Sequence, residues 1–535
     1  MPAELVFFGT VLTVDDGRPT AEALAVADGR IVAVGDRADV AGWIGPDTET
    51  IELGDGCVMP GLVEAHGHPL MEAIVLSDRM VDIRPVTMRD ADAVVAAIKT
   101  EVAKRGADGA YLNGWDPLLQ QGLPEPTLAW LDGEAHDTPL VIIHNSGHKA
   151  YFNTAAAGRV GLTRDTPDPK GAKYGHDANG DLDGTAEETG AVFSLLAGAI
   201  NPSDYPAMLH AELGRLNRAG LTTCSEMAFD PTFRPVLEQL RDDLTVRLRV
   251  YEVSNAAMTT ETNPVNGDDL FRQVGIKIWV DGSPWIGNID LSFPYLDTDA
   301  TRTIGVPPGS CGHANYTPEQ LVEIVHAYFP QGWPMSCHVM GDAGVDTILD
   351  IYEEALRRWP RDDHRLRLEH VGAIRDEQLQ RAHDLGVTCS LFVDQIHYWG
   401  DIIVDGLFGP EHGSRWMPCG SALATGMRIS LHNDPPVTPE EPLRNISVAV
   451  TRTAPSGRVI GPQERITVEQ AIRAQTIDAA WQLFADDVVG SLELGKYADL
   501  VVLSADPRAV PAEDIADLVV RATYLAGRCV YADSD

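Results

Sequence analysis

Four histidines, an aspartate and a lysine fall where this sequence could hold a metal ion. His66 and His68, in "HGH", stand two apart at the end of an apolar run. Alternate residues of a strand point to one face, so both imidazoles can reach one cation. By itself the pair says little, because two histidines on a strand are often ordinary polar residues. His338 in "MSCHVMG", His370 in "LRLEHVG" and Asp434 in "ISLHND" each lie at or near the end of another apolar run. Nitrogen and oxygen donors of this kind suit several divalent ions, and such ions activate water for hydrolysis. Lys277 is the odd member, set between Ile276 and Ile278 in "GIKIWVDGS". That run reads as a buried strand, and a lysine is almost never fully buried unless it is paired or modified. An unmodified Lys277 would be a neutral amine or a partner of Asp281 or Glu226.

The elements that must position these residues follow from the apolar pattern. Eight runs read as strands: 61–66, 220–227, 245–253, 275–282, 335–341, 366–372, 388–393 and 429–434. Helical patterns separate them, such as 317–329, opened by a threonine cap and a proline, and 342–359. The expected fold class is α/β, a (β/α)8 TIM-type barrel in which catalytic groups gather at the C-terminal ends of the strands. Short β-rich runs at both ends of the chain, with "DGR" as a hairpin signal, predict a small β-sandwich domain formed by both termini, 1–57 and 485–535. The barrel would take 58–484. The interval after its first strand is too long for a bare loop. It reads as an insertion, 70–202, with a helix in "DADAVVAAIKTEVAKRG" and a strand in "PLVIIHNSGH", capping the mouth. Within it, 163–184 is rich in Gly, Pro and Asp and reads as a surface loop.

Composition narrows the partners. The 41 Lys and Arg against 79 Asp and Glu give a formal charge of -38, which repels phosphate backbones and argues against nucleic acid. Seven cysteines are scattered without a CxxC, so no disulfide framework is expected. The N-terminal stretch lacks the basic start of a signal peptide, and no apolar run reaches membrane-spanning length. The expectation is a cytoplasmic protein with a small-molecule substrate. Its assembly state is left open, a homodimer being the default among oligomers.

The motifs "VMPGLVEAHGHP", "GWD", "SGHKAYFNTAA", "GIKIWVDGS", "CHVMGDAGVD", "LRLEHVG", "HYWGD", "LHNDPPV" and "GSLELGKYADLVVL" resemble, in order along the chain, those of the amidohydrolase superfamily. The resemblance is to the subfamily that includes N-substituted formamide deformylase. It implies one or two divalent metals, zinc first among them. His66 and His68 would bind the more buried metal, and His338 and His370 the second, or one of these two would orient substrate. Asp434 would bind metal and act as base. Lys277 matches a lysine that in relatives carries CO2 as a carbamate bridging two cations. Asn433 and Pro435 depart from the commoner "SDA", which bears on substrate rather than on metal. Cys224, on strand two with Glu226, reads as a small buried hydrophobe rather than a soft ligand.

The resemblance implies hydrolysis of an amide-like C–N bond, with Asp434, His338 and His370 catalytic. Trp115, His148, Trp285, His397 and Tyr398 are the substrate-binding candidates, an aromatic wall suited to an apolar substituent. Hydrolysis of an ester, carbamate or cyclic amide, a lyase or decarboxylase reaction, and a non-catalytic binding role are the alternatives.

Overall fold

The computed structural model describes residues 2–254 and 266–533. Eight parallel strands form a nearly closed barrel: Leu62–Glu64, Leu221–Phe229, Arg247–Val253, Phe271–Trp279, Met335–Val339, Arg367–His370, Thr388–Leu391 and Ile429–Leu431. They pair in chain order, each parallel to the next. These are the eight runs expected from sequence. Helices cover the outer face and side chains fill the interior, so the strands are buried along nearly their whole length. Burial on both faces is why most of them read as apolar runs, while Arg247–Val253 and Arg367–His370 carry buried charges between apolar residues.

The helices begin and end as the sequence directs. Pro318–Tyr328 opens with the Thr317 hydroxyl accepting from the Gln320 N–H while the Gln320 side chain accepts from the Thr317 N–H. That reciprocal cap satisfies two donors that a helix start leaves unpaired. The long helix Asp342–Arg358 follows the fifth barrel strand and buries Val345, Ile348, Leu349 and Tyr352 against the barrel on one stripe.

Strands from both termini join in one seven-stranded sheet. Its order is Arg528–Ala532, Val520–Leu525, Leu500–Leu503, Glu49–Pro60, Leu5–Leu12, Thr20–Ala27 and Arg30–Gly35. The expected hairpin at "DGR" is present. Asp28 and Gly29 take φ of 52° and 71°, as a two-residue turn between twisted strands requires. A buried pair, Arg247 Nε to Asp499 Oδ2 at 2.7 Å, locks the third barrel strand to this sheet. The strand Glu49–Pro60 runs, across Gly61, straight into the first barrel strand.

The interval 70–202 carries a six-stranded sheet of its own, ordered Lys173–His176, Leu182–Glu187, Lys149–Phe152, Leu140–His144, Ala110–Trp115 and Val81–Asp82. This corrects the reading of 163–184 as a loop. Lys173–His176 and Leu182–Glu187, which runs past the end of that interval, form an antiparallel hairpin, and the second strand pairs with Lys149–Phe152. The Gly- and Asp-rich composition marks the turns of the hairpin, while its strands are set by partners distant in sequence.

All seven cysteines are free. Cys224 is buried, and burial beside Glu64 and Glu72 holds its thiol well above the ordinary range, so it packs as a hydrophobe. No helix among the described residues is long and apolar enough to cross a membrane.

Candidate active site

The ends of the first, fourth, fifth, sixth and eighth barrel strands bring the donors together. His66 and His68 follow the first strand, Lys277 lies on the fourth, and His338 and His370 end the fifth and sixth. Asp434 follows the eighth. The His66 ring lies 4.5 Å from that of His370 and 5.5 Å from that of His68, and His338 stacks edge-on to His370 at 4.5 Å. Asp434 Oδ1 is 3.5 Å from Nε2 of both His66 and His68. His66, His68 and Asp434 form one group of donor atoms within 4.8 Å of one another, and His66, His370 and His432 form another.

Two of these residues hold strained backbone. His370 has φ 68° and Asp434 φ 51°, a left-handed conformation that L-residues adopt at a cost of about 1–3 kcal/mol. The turn at each strand end aims the side chain back over the barrel mouth.

Hydrogen bonds fix the orientation of His66, His338 and His370. His66 Nδ1 lies 2.6 Å from Glu369 Oε2, so that nitrogen carries the proton and Nε2 presents a lone pair. Glu369 is held in turn by Arg367 and by the Ser336 hydroxyl. His338 Nε2 donates to the Gly282 carbonyl at 2.8 Å, leaving Nδ1 free. His370 Nδ1 sits 3.0 Å from His432 Nε2, and its own Nε2 is buried with no hydrogen-bond partner.

Protonation states follow from burial. It drives His66, His338 and His370 well below the ordinary histidine value, so all three are neutral and able to ligate. His68 differs. Burial depresses it, but Asp434 and Glu226 outweigh burial and raise it to about 9. Asp434 stays below the usual carboxyl range despite burial, because His68 pairs with it. Burial lowers Lys277 to about 8 against the opposing pull of Glu369 and Asp434. Its Nζ lies 3.2 Å from His66 Nε2.

This donor set fits divalent metal. Neutral imidazoles and a carboxylate converge, one buried ring nitrogen is orphaned, and the His68–Asp434 contact is a proton that a cation would displace. We expect Glu369→Gln to lower metal affinity about 10- to 100-fold, measured by competition with a chromogenic chelator. Unchanged affinity would show that Glu369 does not orient His66.

A cavity opens on these groups. His66, His68, His338, His370 and Asp434 form its floor, and Met71, Val75, Ile143, Phe193, Trp279 and Val437 make an apolar wall. Asn113, Asn145 and His148 reach it from the inserted sheet. A second cavity beside it is lined by Trp285, His148, His338 and Asp434.

Not every substrate candidate reaches these cavities. His148 and Trp285 do. Trp115 does not: it is fully buried in the core of the inserted sheet, against Trp130 and Tyr151. Asn113, two residues earlier, meets the cavity, but the strand is irregular between the two, at Gly114 with φ 120°, and Trp115 turns to the covered face beside Leu112. His397 faces Arg444 Nη1 at 3.1 Å, and its ring packs on Tyr398; neither residue lines either cavity. Trp399 instead stacks on Trp285 at 4.6 Å and donates to Asp116 of the insertion.

Sequence reasoning also missed residues. His432 stands two before Asp434 and repeats the alternation of His66 and His68, a signal that was available. Glu369 is a charged residue inside a buried strand, the same anomaly that singles out Lys277.

The sequence pattern of the amidohydrolase family matches residues 49–531. N-substituted formamide deformylase of Arthrobacter pascens is 26% identical over 98% of this chain and 97% of its own length. The protein LONG AFTER FAR-RED 3 of Arabidopsis thaliana is 27% identical over 98% of this chain and 91% of its own. A crystal structure of an uncharacterized metal-dependent hydrolase from Pyrococcus horikoshii has the same fold, with TM-score 0.74 and 21% identity over 95% of this chain and 99% of that one. With the barrel, the converging donors and the pattern spanning nearly the whole sequence, the chain belongs to the amidohydrolase family and is a metal-dependent hydrolase.

Proposed function

We propose that the enzyme hydrolyses the C–N bond of an N-substituted formamide or a similar N-acyl amine. The observation that carries this is the apolar cavity opening directly onto His66, His68, His338, His370 and Asp434. An apolar N-substituent would lie along Val75, Phe193 and Trp279 while the small acyl group meets the polar floor. The similarity to a formamide deformylase over the full length supports the same class of bond.

Divalent ions, zinc first among them, would be held by His66, His68, Asp434, His338 and His370, and when bound they supply Lewis acidity and lower the pKa of water. Lys277 would complete the site. Its neutral amine would add to CO2, forming an N–C bond and releasing one proton, and the resulting carbamate would offer two oxygens that share one negative charge. Left as an ammonium, Lys277 would donate to the His66 Nε2 lone pair and so occupy the atom that metal needs. Asp434 would accept the proton of the attacking water and deliver it to the leaving nitrogen. His338 or His370, where not engaged with metal, would face the carbonyl oxygen. His148 and Trp285 would contact substrate.

The test uses chelated and metal-restored enzyme with a panel of N-substituted formamides. Turnover should vanish on chelation and return with metal, yielding formate and amine in equal amounts. One 18O atom from labelled water should appear in the formate. Turnover that survives chelation, or formate without label, would end this reading.

A further inference from the structure

Three glutamates meet away from the site described above, and none of them lines either cavity. Glu72 lies on the helix Pro69–Val75, which follows His68, and Glu212 on the helix Tyr205–Arg218. Glu440 lies on the segment after the eighth barrel strand, just before the helix Pro442–Thr451. Each offers one carboxylate oxygen, and the three oxygens lie within 4.8 Å of one another. Helix packing brings them together. Leu70 and Ala73 of the first helix share the core with Leu209 and Leu213 of the second, and the Tyr205 hydroxyl donates to the Leu70 carbonyl at 3.0 Å. Carboxylates this close repel one another, and burial removes the water that would screen them.

Glu72 is the telling member. It is fully buried, and no donor among the described residues reaches either of its carboxylate oxygens. Glu212 Oε1 and Glu440 Oε1 are buried without a donor in the same way. A buried acceptor left unpaired is rare because it is costly. Neighbouring buried carboxylates are matched. Glu64 accepts from the N–H groups of His66 and Asn433, and Glu226 from those of Leu70 and Ala228. The cationic side chains close by are engaged elsewhere or on one oxygen only. Arg215 pairs with Glu212 Oε2, and Arg84 bonds Asp82 and the Pro436 carbonyl. Three carboxylates and one guanidinium leave two negative charges, with no protein donor to meet them.

We propose that Glu72, Glu212 and Glu440 bind a hard divalent cation of calcium size, as a structural site separate from the catalytic one. The donor set selects the ion. Anionic oxygens alone suit calcium, whereas the imidazoles at the strand ends suit softer ions. Calcium–oxygen distances of about 2.3–2.6 Å put two ligands of one ion up to about 5 Å apart, which matches the spread of these oxygens. Magnesium takes ligands at about 2.0–2.1 Å and keeps several waters, and Glu72 and Glu212 are shut off from water. Two positive charges balance the two that Arg215 leaves, and Glu72 can offer both oxygens. The position gives the ion a task. Strand pairing joins the eighth barrel strand to the seventh and the first to the second, but not the first to the eighth. The cation ties the helix that follows the first strand to the segment that follows the eighth, across that seam.

The experiment is calorimetric titration of zinc-loaded, calcium-free enzyme with Ca2+, with zinc content and melting temperature recorded throughout. The wild type should take up one Ca2+ per chain without losing zinc, and should melt several degrees higher with it, because an ion that binds only the folded state stabilises it. Mg2+ should bind at least about tenfold more weakly, as its smaller, water-keeping shell requires. Glu72→Gln and Glu440→Gln each remove a repelling charge and keep the shape, so both should fold and hold zinc. Each should weaken Ca2+ at least about 10²-fold, since a direct ligand counts for more than an orienting partner, and neither should melt higher with Ca2+. A wild type that takes up no Ca2+ and melts at one temperature with and without it would overturn the proposal, the three carboxylates then sharing protons instead. Ca2+ uptake undiminished in both variants would overturn it too, by placing the ion elsewhere. Equal affinity for Mg2+ would overturn the choice of ion.

Discussion

Lys277→Ala is expected to fold, to hold less than its full complement of divalent metal, and to lose at least about 10²-fold in turnover. That floor is what the loss of a mere orienting partner costs a metal site. Lys277 is fully buried on the fourth barrel strand, between the carboxylates of Glu369 and Asp434, which raise its pKa, and the burial that lowers it to about 8. Near pH 8 about half of the amine is therefore uncharged and free to take up CO2. As pH falls through that value the nitrogen gains its proton, and a carbamate there would be lost as CO2. Metal loading should thus be high when apoenzyme is reconstituted at pH 8 with bicarbonate and poor at pH 6 without it. Acetate or propionate should partly restore metal binding to Lys277→Ala, by placing a carboxylate where the side chain was cut back. Metal analysis and turnover assays decide the matter. Normal metal content in Lys277→Ala, or loading indifferent to CO2, would remove the bridging role.

Asp434→Asn is the second large effect. The substitution preserves shape, so the strained turn and the cavity wall should survive. Turnover should fall about 10²- to 10⁴-fold, the range expected for removing a positioned proton acceptor. KM should change little, because the apolar wall that holds the substituent is untouched. Asp434 also approaches both His66 and His68 at 3.5 Å, so the assay must be run at saturating metal with the bound metal counted. Full occupancy with lost kcat assigns the proton role; full occupancy with undiminished kcat refutes it.

Most of the frame of this site is legible in the sequence because burial on both faces writes most of the barrel strands as apolar runs, and several end in one chemical residue. His338, His370 and Asp434 stand out for that reason, and Lys277 stands out because charge has no business between Ile276 and Ile278. The hairpin at Asp28–Gly29 and the cap at Thr317 are equally plain, since both are local. What the sequence hid depends on contacts between distant segments. The hairpin that begins inside 163–184 is defined by its neighbour Lys149–Phe152, which no local pattern announces. Trp115 resembles a pocket aromatic until Trp130 and Tyr151 close over it. His432 and Glu369 leave a trace in the sequence, but which rings they orient is set only by the fold. Glu72 gains meaning only when Glu212 and Glu440 arrive beside it.

The sheet shared by the two termini has a consequence for how the enzyme is made. The strand Glu49–Pro60 feeds directly into the strand that delivers His66 and His68, and one of its two edges pairs with Leu500–Leu503. During synthesis that edge waits, unpaired and apolar, until nearly the whole barrel has left the ribosome. Long-range pairing of this kind folds slowly and exposes aggregation-prone surface. Newly made chains should therefore lean on chaperones. Early release of the chain would yield barrels in which His66 and His68 lack their anchor.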